Sequence, residues 1–585
     1  MILQHDIFSV STHLFRIGRA IQIRTIYSFV GQLQISCTCC NKMALMWSKI
    51  SQVRLVLLFI HVLMLNESQG MDILLSFGSG KDSHLLVASY VGNSLVNRGH
   101  NVTALVGELG YRYRSGDPHF ANLTFQVYTH SLPPEEVKGL EDMAVDAMLE
   151  LSGLRFFEVV HMLNMHAFNE CRAVMTDKDL LRRLESVEVI VLDPAWPCGL
   201  LIKSYIESKM KQQVRLVALI PYVTSAFILR DAGSPYYPAY RPDGLTGLAY
   251  PMTFSQRLFN FFFSVIMIKP MELLFLAPYC DLASQLGLAP IVRDGCHMAG
   301  TYDLYLFNSH FTTEIPYPTM PNVMNVGGLT VHPAQNLDKN YTDYLEQSGE
   351  HGVIVFTLGH VFATITAKKP EIARFFAEAF GRLPQRVLWQ MPSELPFPLP
   401  PNIMTGRWLP QNDLLGASQT RVFVYHGGNN GYHEAVYHGV PIVVFPINAD
   451  QWDIAARVEA KGIGKMISKY NVNADIIYDT LTEVLNNDTY ANNVKQLSRV
   501  FRDRPMTPAE TAAFWIEHIG RHGGEYLRSP IHSLNTIQYL MLDVIAFLTV
   551  IAVICIILIS RLIKCCCRCF CKRSKSGVKQ SKKDD

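Results

Sequence analysis

The segment from Trp408 to Gln451 combines residue types that suit a phosphate-bearing ligand. The apolar run RVFVY predicts a strand that leads into His426-Gly427-Gly428, and a helix is expected to begin near Asn430. Glycines let the backbone approach a ligand closely, and the first turn of a helix presents unpaired N–H groups with partial positive charge. His426 can donate a hydrogen bond to the same phosphates. The pattern therefore predicts a site for a nucleotide diphosphate.

Residues on either side of this loop fit the remainder of a nucleotide ligand. Glu434 lies one turn into the predicted helix, where a carboxylate can accept hydrogen bonds from ribose hydroxyls. Trp408 can stack on a base. Asp450 and Gln451 follow the strand PIVVFP, at the carboxyl edge where open α/β sheets bind ligands. On residue types alone, the site has moderate specificity for such a ligand.

The first part of the chain contains a candidate general base. After the predicted strand MDILLSF, the sequence GSGKDSH carries His84 into a helix. The positive end of a helix disfavours an added proton, so the imidazole is biased toward its neutral form and can accept a proton from a hydroxyl group. Asp193 ends the strand VEVIVLD, where it can hold the histidine tautomer. The alternatives are a solvated loop histidine and an aspartate that caps the loop before Pro194.

Strand and helix patterns alternate along the chain, which is typical of parallel sheets in an α/β fold. The apolar runs form two blocks, of which the second begins at GVIVFTLG (352–359). Two blocks predict two Rossmann-like domains that face each other across a cleft, with the break in the polar, turn-rich stretch 327–340. The boundaries that follow are 71–335 and 336–530.

Several motifs in the same order give the chain a family resemblance. WLPQNDLLG, the HGG loop and FWIEHIGRHGG (514–524) precede an apolar segment and a basic tail. Over about 71–565 the chain resembles the UDP-glycosyltransferases, and among them the vertebrate UDP-glucuronosyltransferases. The resemblance implies a GT-B fold with an acceptor-binding N-terminal domain. The C-terminal domain would bind the UDP-sugar, and its last helix would return across the N-terminal domain.

The resemblance also implies a role for each candidate residue. His84 would be the catalytic base and Asp193 its partner. The expected donor-binding residues are Trp408 and Gln411 for uracil; His426, Gly428 and Asn430 for the diphosphate; Glu434 for ribose; Asp450 and Gln451 for the donor sugar; and Thr357 and Gly359 for the phosphates.

Two positions depart from the family pattern. Many relatives have serine where this chain has His360, and a histidine there either adds a phosphate donor or crowds the site. The HGG loop continues Asn429-Asn430-Gly431, where some branches have serine at the last position, so one phosphate hydroxyl is lost. Both changes bear on donor affinity more than on donor class.

The expected activity is transfer of glucuronic acid from UDP-glucuronic acid to a hydroxyl of a small lipophilic acceptor, with inversion. A UDP-sugar is the co-substrate, and neither a cofactor nor a metal is expected. One alternative is a UDP-glucose- or UDP-galactose-dependent enzyme that acts on a ceramide-like lipid. The other is a non-catalytic UDP-sugar or lipid-binding membrane protein. A glucuronate carboxylate calls for a nearby cation, for which the resemblance offers Arg257.

The ends of the chain predict a membrane protein. The chain has 585 residues and a formal net charge of +2, which gives no reason to expect nucleic acid. An apolar stretch at 540–562 predicts one transmembrane helix, and the basic tail 563–585 places the cytosolic side. Lys582 and Lys583 resemble an endoplasmic-reticulum retrieval signal. A signal peptide is expected at 43–70, preceded by a non-native extension at 1–42, so the domains would be luminal.

Further features follow from that topology. The luminal cysteines Cys171, Cys198, Cys280 and Cys296 allow alternative disulfide pairings. The sequence also leaves open whether the protein forms homo- or hetero-oligomers. The apolar segment LFNFFFSVIMI (258–268) is a re-entrant or interfacial segment, a lid over the acceptor site, or a buried core helix. Sequons for N-glycosylation occur at Asn101, Asn122, Asn340 and Asn487.

Overall fold

Two parallel β-sheets flanked by helices make up the globular part of the chain. The computed structural model describes residues 70–78, 80, 83–150, 153–288, 302–359, 368–391 and 394–576. A seven-stranded sheet forms in the N-terminal half and a six-stranded sheet in the C-terminal half. The prediction of an α/β fold with two Rossmann-like sheets is confirmed. The predicted extension at 1–42, nearly all of the predicted signal peptide and the dilysine tail lie outside the described residues.

The N-terminal sheet has the strand order β3-β2-β1-β4-β5-β6-β7. Its strands are largely continuous apolar runs because helices cover both faces of the sheet. The strand order reverses between β1 and β4, and ligands bind at such a reversal, outside the carboxyl ends of the strands. The strands are β1 Asp72–Ser76, β2 Asn101–Gly107, β3 Thr124–Tyr128, β4 Val189–Leu192, β5 Arg215–Ile220, β6 Leu304–Phe307 and β7 Val323–Asn325.

Helices connect these strands and bury their apolar faces against them. In α1, Leu85, Ala88 and Leu95 are buried in the core beneath β1 and β2. The helices are α1 Ser83–Val96, α2 Glu108–Arg114, α3 Pro134–Glu150, α4 Gly153–Thr176, α5 Lys178–Arg183, α6 Cys198–Met210, α7 Ala226–Asp231, α8 Phe254–Phe261 and α9 Ile268–Gln285, with a 3-10 turn at Pro118–Phe120 and a π-helix at Phe262–Met267.

The C-terminal sheet has the order β10-β9-β8-β11-β12-β13, and its strand order reverses between β8 and β11. Its core is aromatic: the ring of Phe356 lies 4.6 Å from that of Phe376 in the helix above it. The strands are β8 Val353–Thr357, β9 Arg386–Gln390, β10 Ile403–Gly406, β11 Thr420–Tyr425, β12 Ile442–Val444 and β13 Gly464–Met466. The helices are α10 Lys339–Glu346, α11 Pro370–Gly381, α12 Gln411–Gly416, α13 Asn429–His438, α14 Gln451–Ala460, α15 Ala474–Asn486 and α16 Asp488–Arg502.

The helix α17, Pro508–His522, returns to the N-terminal half. A capping box between Thr507 and Glu510 starts it. Its Glu517 accepts a hydrogen bond from Arg98 at 2.9 Å and lies 2.9 Å from Nε2 of His100, in the loop before β2. These contacts tie the end of the globular chain to the N-terminal sheet. Beyond α17 come 3-10 turns at Glu525–Leu527 and Pro530–Ser533, and the short helix α18 at Thr536–Tyr539.

The apolar segment 258–268 does not lie in the core. Leu258, Phe262 and Ile266 are 58%, 48% and 49% exposed, whereas the polar side chains of Asn260 and Ser264 are fully buried. The side-chain N–H groups of Asn260 donate to backbone carbonyls of the loop before α8, and its side-chain oxygen accepts from a backbone N–H of the same loop. The polar face of the helix is therefore the face that packs against the fold. The interpretation as a buried core helix is therefore wrong.

The C-terminal helix α19 spans Leu542–Ser576. Its stretch Leu542–Arg568 has a mean hydropathy of 3.1 over the most apolar window and no buried part. At 1.5 Å per residue, this stretch measures roughly 40 Å, which is enough to cross a bilayer. The prediction of one apolar C-terminal helix is confirmed. The helix begins at Leu542, not at 540, and continues without a break into the basic tail.

Cysteine pairing and sequon exposure complete the description. Cys171 and Cys198 form a disulfide bond between α4 and the start of α6, which selects one of the pairings left open by the sequence. The asparagines of all the predicted sequons are exposed, as a glycosylation acceptor requires: Asn101, Asn122, Asn340 and Asn487.

Candidate active site

A histidine–aspartate pair lies at the carboxyl edge of the N-terminal sheet. His84 is the second residue of α1, and Asp193 follows β4, the strand beside β1. The Nδ1 atom of His84 lies 2.5 Å from Oδ2 of Asp193, and the other oxygen of Asp193 accepts from the N–H of Ala195 at 2.8 Å. The carboxylate is almost fully buried, while about a third of the His84 side chain is exposed. The aspartate thus orients an imidazole that faces the cleft.

The start of α13 faces this pair from the C-terminal half. Gly428 is the N-terminal cap of α13 and no side chain caps this end, so the first N–H groups of the helix have no carbonyl partner within the helix. A Cβ atom at Gly428 would lie 2.5 Å from Nε2 of His426, and one at Gly359 would lie 2.6 Å from Cε1 of the same ring. Glycine at both positions therefore lets the loops after β8 and β11 close around His426. The result is a cradle of backbone groups at a helix N-terminus, which suits a phosphate.

His426 is neutral in this setting. Burial lowers the pKa of its imidazole to about 4. A neutral imidazole still offers one N–H group, so it can donate a hydrogen bond to a phosphate without adding a full charge. The attraction for an anion then comes mainly from the end of α13.

The residues predicted to bind uracil and ribose contact each other. Gln411, the first residue of α12, donates to Oε2 of Glu434 at 2.6 Å, and Thr330 donates to Oε1 at 3.2 Å. Burial raises the pKa of Glu434 to about 7, although these two hydrogen bonds oppose the rise. The Trp408 side chain is 62% exposed, so one face of its ring is open to a base. These residues form one polar wall next to the phosphate cradle.

The residues predicted to bind the donor sugar, Asp450 and Gln451, lie at the start of α14. Asp450 accepts a hydrogen bond from the N–H of Val223 in the N-terminal half at 3.1 Å, and burial raises its pKa. The side-chain oxygen of Gln451 accepts from Ile447 and Asn448 at 2.8 and 3.0 Å, which holds the loop before α14 in place. Asp450 thereby sits where the two halves meet, beside the histidine–aspartate pair.

Several residues that join the halves were missed in the sequence. Asn308, which follows β6, donates to the side-chain oxygen of Asn430 at 3.2 Å and accepts from Gly328 at 3.0 Å. Asn429 donates to the carbonyls of Pro221 and Asn308 at 2.9 and 2.8 Å. The position of Asn308 and Pro221 after apolar strands is a signal that could have identified them.

Other predicted residues have different surroundings. Thr357 is buried; its hydroxyl donates to Gln390 and accepts from the N–H of Gly359, so it shapes the loop after β8. Arg257 is exposed on α8 and donates to the carbonyl of Met252 at 2.8 Å. His360 lies outside the described residues.

The fold is similar to that of solved glycosyltransferases. The calicheamicin glycosyltransferase CalG4 covers 77% of this chain and 99% of its own at a TM-score of 0.52 and 18% identity. The spinosyn forosaminyltransferase SpnP matches 77% of this chain and 100% of its own chain, with a TM-score of 0.51 and 16% sequence identity. The predicted GT-B architecture is confirmed at the level of the fold.

Similarity in sequence then gives the family. The family model described as "UDP-glucoronosyl and UDP-glucosyl transferase" matches residues 73–580. UDP-glucuronosyltransferase 1A7 of Rattus norvegicus is 32% identical over 88% of this chain and 97% of its own length. UDP-glucuronosyltransferase 2A1 of Mus musculus is 31% identical over 86% of this chain and 94% of its own length. This chain therefore belongs to the UDP-glucuronosyltransferase family and is a glycosyltransferase.

Replacing Gly359 with alanine should weaken donor binding. The residue has φ of +73°, and the added Cβ would press on His426, so the phosphate cradle must open. We expect the Kd for UDP, measured by calorimetry, to rise about tenfold, or about 1.4 kcal/mol. Gly349→Ala is the matched control, since Gly349 also has positive φ but nothing within 4 Å of its Cβ position. Equal effects of both substitutions would contradict the role of the cradle.

Affinity for a UDP-sugar should fall as the pH drops below about 7. Ribose hydroxyls favour the ionised carboxylate, so binding lowers the pKa of Glu434 from about 7, and affinity rises with pH until Glu434 is ionised in the free enzyme. UDP-glucose is the suitable probe because its diphosphate does not titrate in this range. Glu434→Gln should bind more weakly and lose the pH dependence. If Glu434→Gln kept the pH dependence of UDP-glucose binding, a group other than Glu434 would be the one that titrates.

Proposed function

We propose that this chain transfers glucuronic acid from UDP-glucuronic acid to a hydroxyl group of a small lipophilic acceptor, with inversion at the anomeric carbon. The observation that carries the proposal is the His84–Asp193 contact of 2.5 Å at one edge of the cleft, opposite the start of α13. The names of the curated relatives support the choice of donor sugar.

The geometry supports a single displacement. His84 removes the proton of the acceptor hydroxyl, and the oxygen attacks the anomeric carbon on the face opposite to UDP. The bond from that carbon to the β-phosphate oxygen breaks, and UDP leaves. Asp193 stabilises the imidazolium, while His426 and the start of α13 donate hydrogen bonds to the departing diphosphate. The chain's own groups supply every role in this scheme, so we assign no step to a metal ion.

The donor sugar has one rival class. The description of the family covers both glucuronosyl and glucosyl transfer, and Asp450 and Gln451 suit hydroxyls that these sugars share. A UDP-glucose- or UDP-galactose-dependent enzyme with a lipid acceptor would use the same base and the same diphosphate cradle. The non-catalytic alternative is disfavoured, since a binding protein has no need of a buried aspartate that orients a cleft-facing histidine.

Replacement of His84 tests the base. His84→Ala should lower kcat by roughly 100-fold or more with UDP-glucuronic acid and a panel of phenols and steroids, because the general base is lost. His161→Ala, on the exposed surface of α4, should leave kcat unchanged. UDP release would be measured with UDP-glucuronic acid, UDP-glucose and UDP-galactose, with ceramide added to the acceptor panel. Turnover with a neutral sugar alone would overturn the donor assignment, and full activity in His84→Ala would overturn the mechanism.

We also propose a membrane topology. The domains would be luminal in the endoplasmic reticulum and the tail cytosolic, because Arg561, Lys564 and Arg568 lie at the C-terminal end of the apolar stretch of α19. The exposed apolar face of 254–267 supports the interfacial interpretation of that segment. Its outward side chains would lie in the boundary between headgroups and acyl chains, beside the bilayer to which α19 anchors the protein.

Photolabelling tests the interfacial contact. In the full chain reconstituted in liposomes that contain a diazirine lipid, we expect label in the peptide that carries Leu258 and Phe262. The substitution Phe262→Glu should reduce it several-fold, since a charge disfavours insertion. Met210, which is 47% exposed at the end of α6, lies in the reference peptide. Equal label in both peptides would exclude the interfacial contact and leave the lid interpretation.

A further inference from the structure

One face of α14 is occupied by contacts with the N-terminal half. Asp450, Asp453 and Arg457 lie three and four positions apart, which places their side chains on the same face of a helix. Beside them, an apolar face packs in the core of the C-terminal half through Ile454 and Val458. The helix is therefore a fixed part of the C-terminal half that presents charged side chains to the other half.

Asp453 binds a loop of the N-terminal half with both of its carboxylate oxygens. Oδ2 accepts from the N–H of Leu245 at 2.6 Å, and Oδ1 accepts from the N–H of Gly247 at 2.8 Å. Arg457, one turn further along the helix, is paired with Glu314 of the N-terminal half at 2.8 Å. Asp453 is 1% exposed, so a carboxylate that lost the two N–H groups would have no water to replace them. The loop is thus held firmly against α14.

The loop that Asp453 holds also supports the residue that contacts Asp450. The N–H of Val223 donates to Asp450 at 3.1 Å. A Cβ atom at Gly244 would lie 3.2 Å from the carbonyl oxygen of Val223, so the loop packs directly on this stretch of backbone. Asp450 and Asp453 therefore bind one continuous surface of the N-terminal half, and a shift of the loop at Asp453 would also shift the partner of Asp450.

We propose that Asp453 is a positioning residue for the donor sugar and that it acts through Asp450. Its hydrogen bonds to Leu245 and Gly247 hold the N-terminal half against α14, so that the Asp450 carboxylate keeps the position in which it receives sugar hydroxyls. The inference rests on the proposed role of Asp450 in binding the sugar. Uracil and the diphosphate are assigned to residues at α12 and α13, so the contact should affect the affinity for the sugar and not the affinity for UDP.

The substitution Asp453→Asn keeps the shape of the side chain and turns one acceptor oxygen into an N–H donor that faces a backbone N–H. We expect the Kd for UDP-glucuronic acid, measured by calorimetry on the full chain in detergent micelles, to rise about fivefold, because a buried hydrogen bond is lost. The Kd for UDP should change by less than about twofold. The measurements belong above the pKa of Asp453, which burial raises to about 7, so that the wild-type carboxylate is ionised. UDP-glucose replaces UDP-glucuronic acid if it alone is turned over.

Hydrogen exchange reports the contact directly. In Asp453→Asn, the peptide that carries the N–H groups of Leu245 and Gly247 should exchange about fivefold faster or more, because their acceptor is weakened. In the wild-type chain, the UDP-sugar should slow the same exchange about fivefold relative to UDP, because the coupling between two contacts is reciprocal. The wild-type measurement needs no variant, so it tests the inference even if Asp453→Asn does not fold.

Asp177→Asn is the matched control. Asp177 also accepts from two backbone N–H groups, those of Asp179 at 3.1 Å and Leu180 at 2.9 Å, but all three residues lie within the N-terminal half. This variant should leave both Kd values unchanged, and the exchange of the peptide around 245–247 should match that of the wild type.

Three results would overturn the inference. They are an equal rise of both Kd values in Asp453→Asn, an unchanged Kd for the UDP-sugar in that variant, and wild-type exchange that is the same with UDP and with the UDP-sugar. Asp450→Asn separates this failure from a failure of the proposed sugar site. If that variant binds the UDP-sugar as well as the wild type does, Asp450 is not a sugar ligand, whatever Asp453 does.

Discussion

The contact between the carboxyl edge of the N-terminal sheet and the starts of α13 and α14 is the constraint on which the site depends. Asn429 donates to carbonyls after β5 and β6, and Asp450 accepts from Val223. Parallel strands make this arrangement available, since all of their carboxyl ends lie at one edge of a sheet. The proposed base on one edge and the proposed phosphate cradle on the other could act on the same pair of substrates only because these contacts hold the edges together.

Burial then sets the charge of the groups at that junction. His426 is neutral because its pKa falls to about 4, and the pKa of Asp453 rises to about 7 although the N–H groups of Leu245 and Gly247 donate to it. The Arg457 guanidinium is paired with a glutamate of the N-terminal half. The junction therefore attracts anions through backbone N–H groups and a helix end more than through free cations, which favours recognition of shape as well as charge.

The sequence predicted those parts of the structure that depend on local periodicity. Continuous apolar runs such as VIVFT are buried on both faces of a parallel sheet, and they are found as strands. Local pattern left the segment 258–268 open between an interfacial segment, a lid and a buried core helix, because composition does not report which face of a helix is covered. There the fold uses Asn260 for hydrogen bonds to a neighbouring loop, so the polar face is buried and the aromatic face is left outside.

The sequence by itself determined the two blocks of strands, the apolar C-terminal helix and the residue types at the ends of strands, because each depends on neighbours a few positions away. The tertiary structure alone decided which strand ends meet. Tyr222 lies beside His84, and Asn308 beside Asn430, through pairings of residues far apart in the chain. Such pairings follow from the order of strands in each sheet and from the packing of one sheet edge on the other, which no local pattern records.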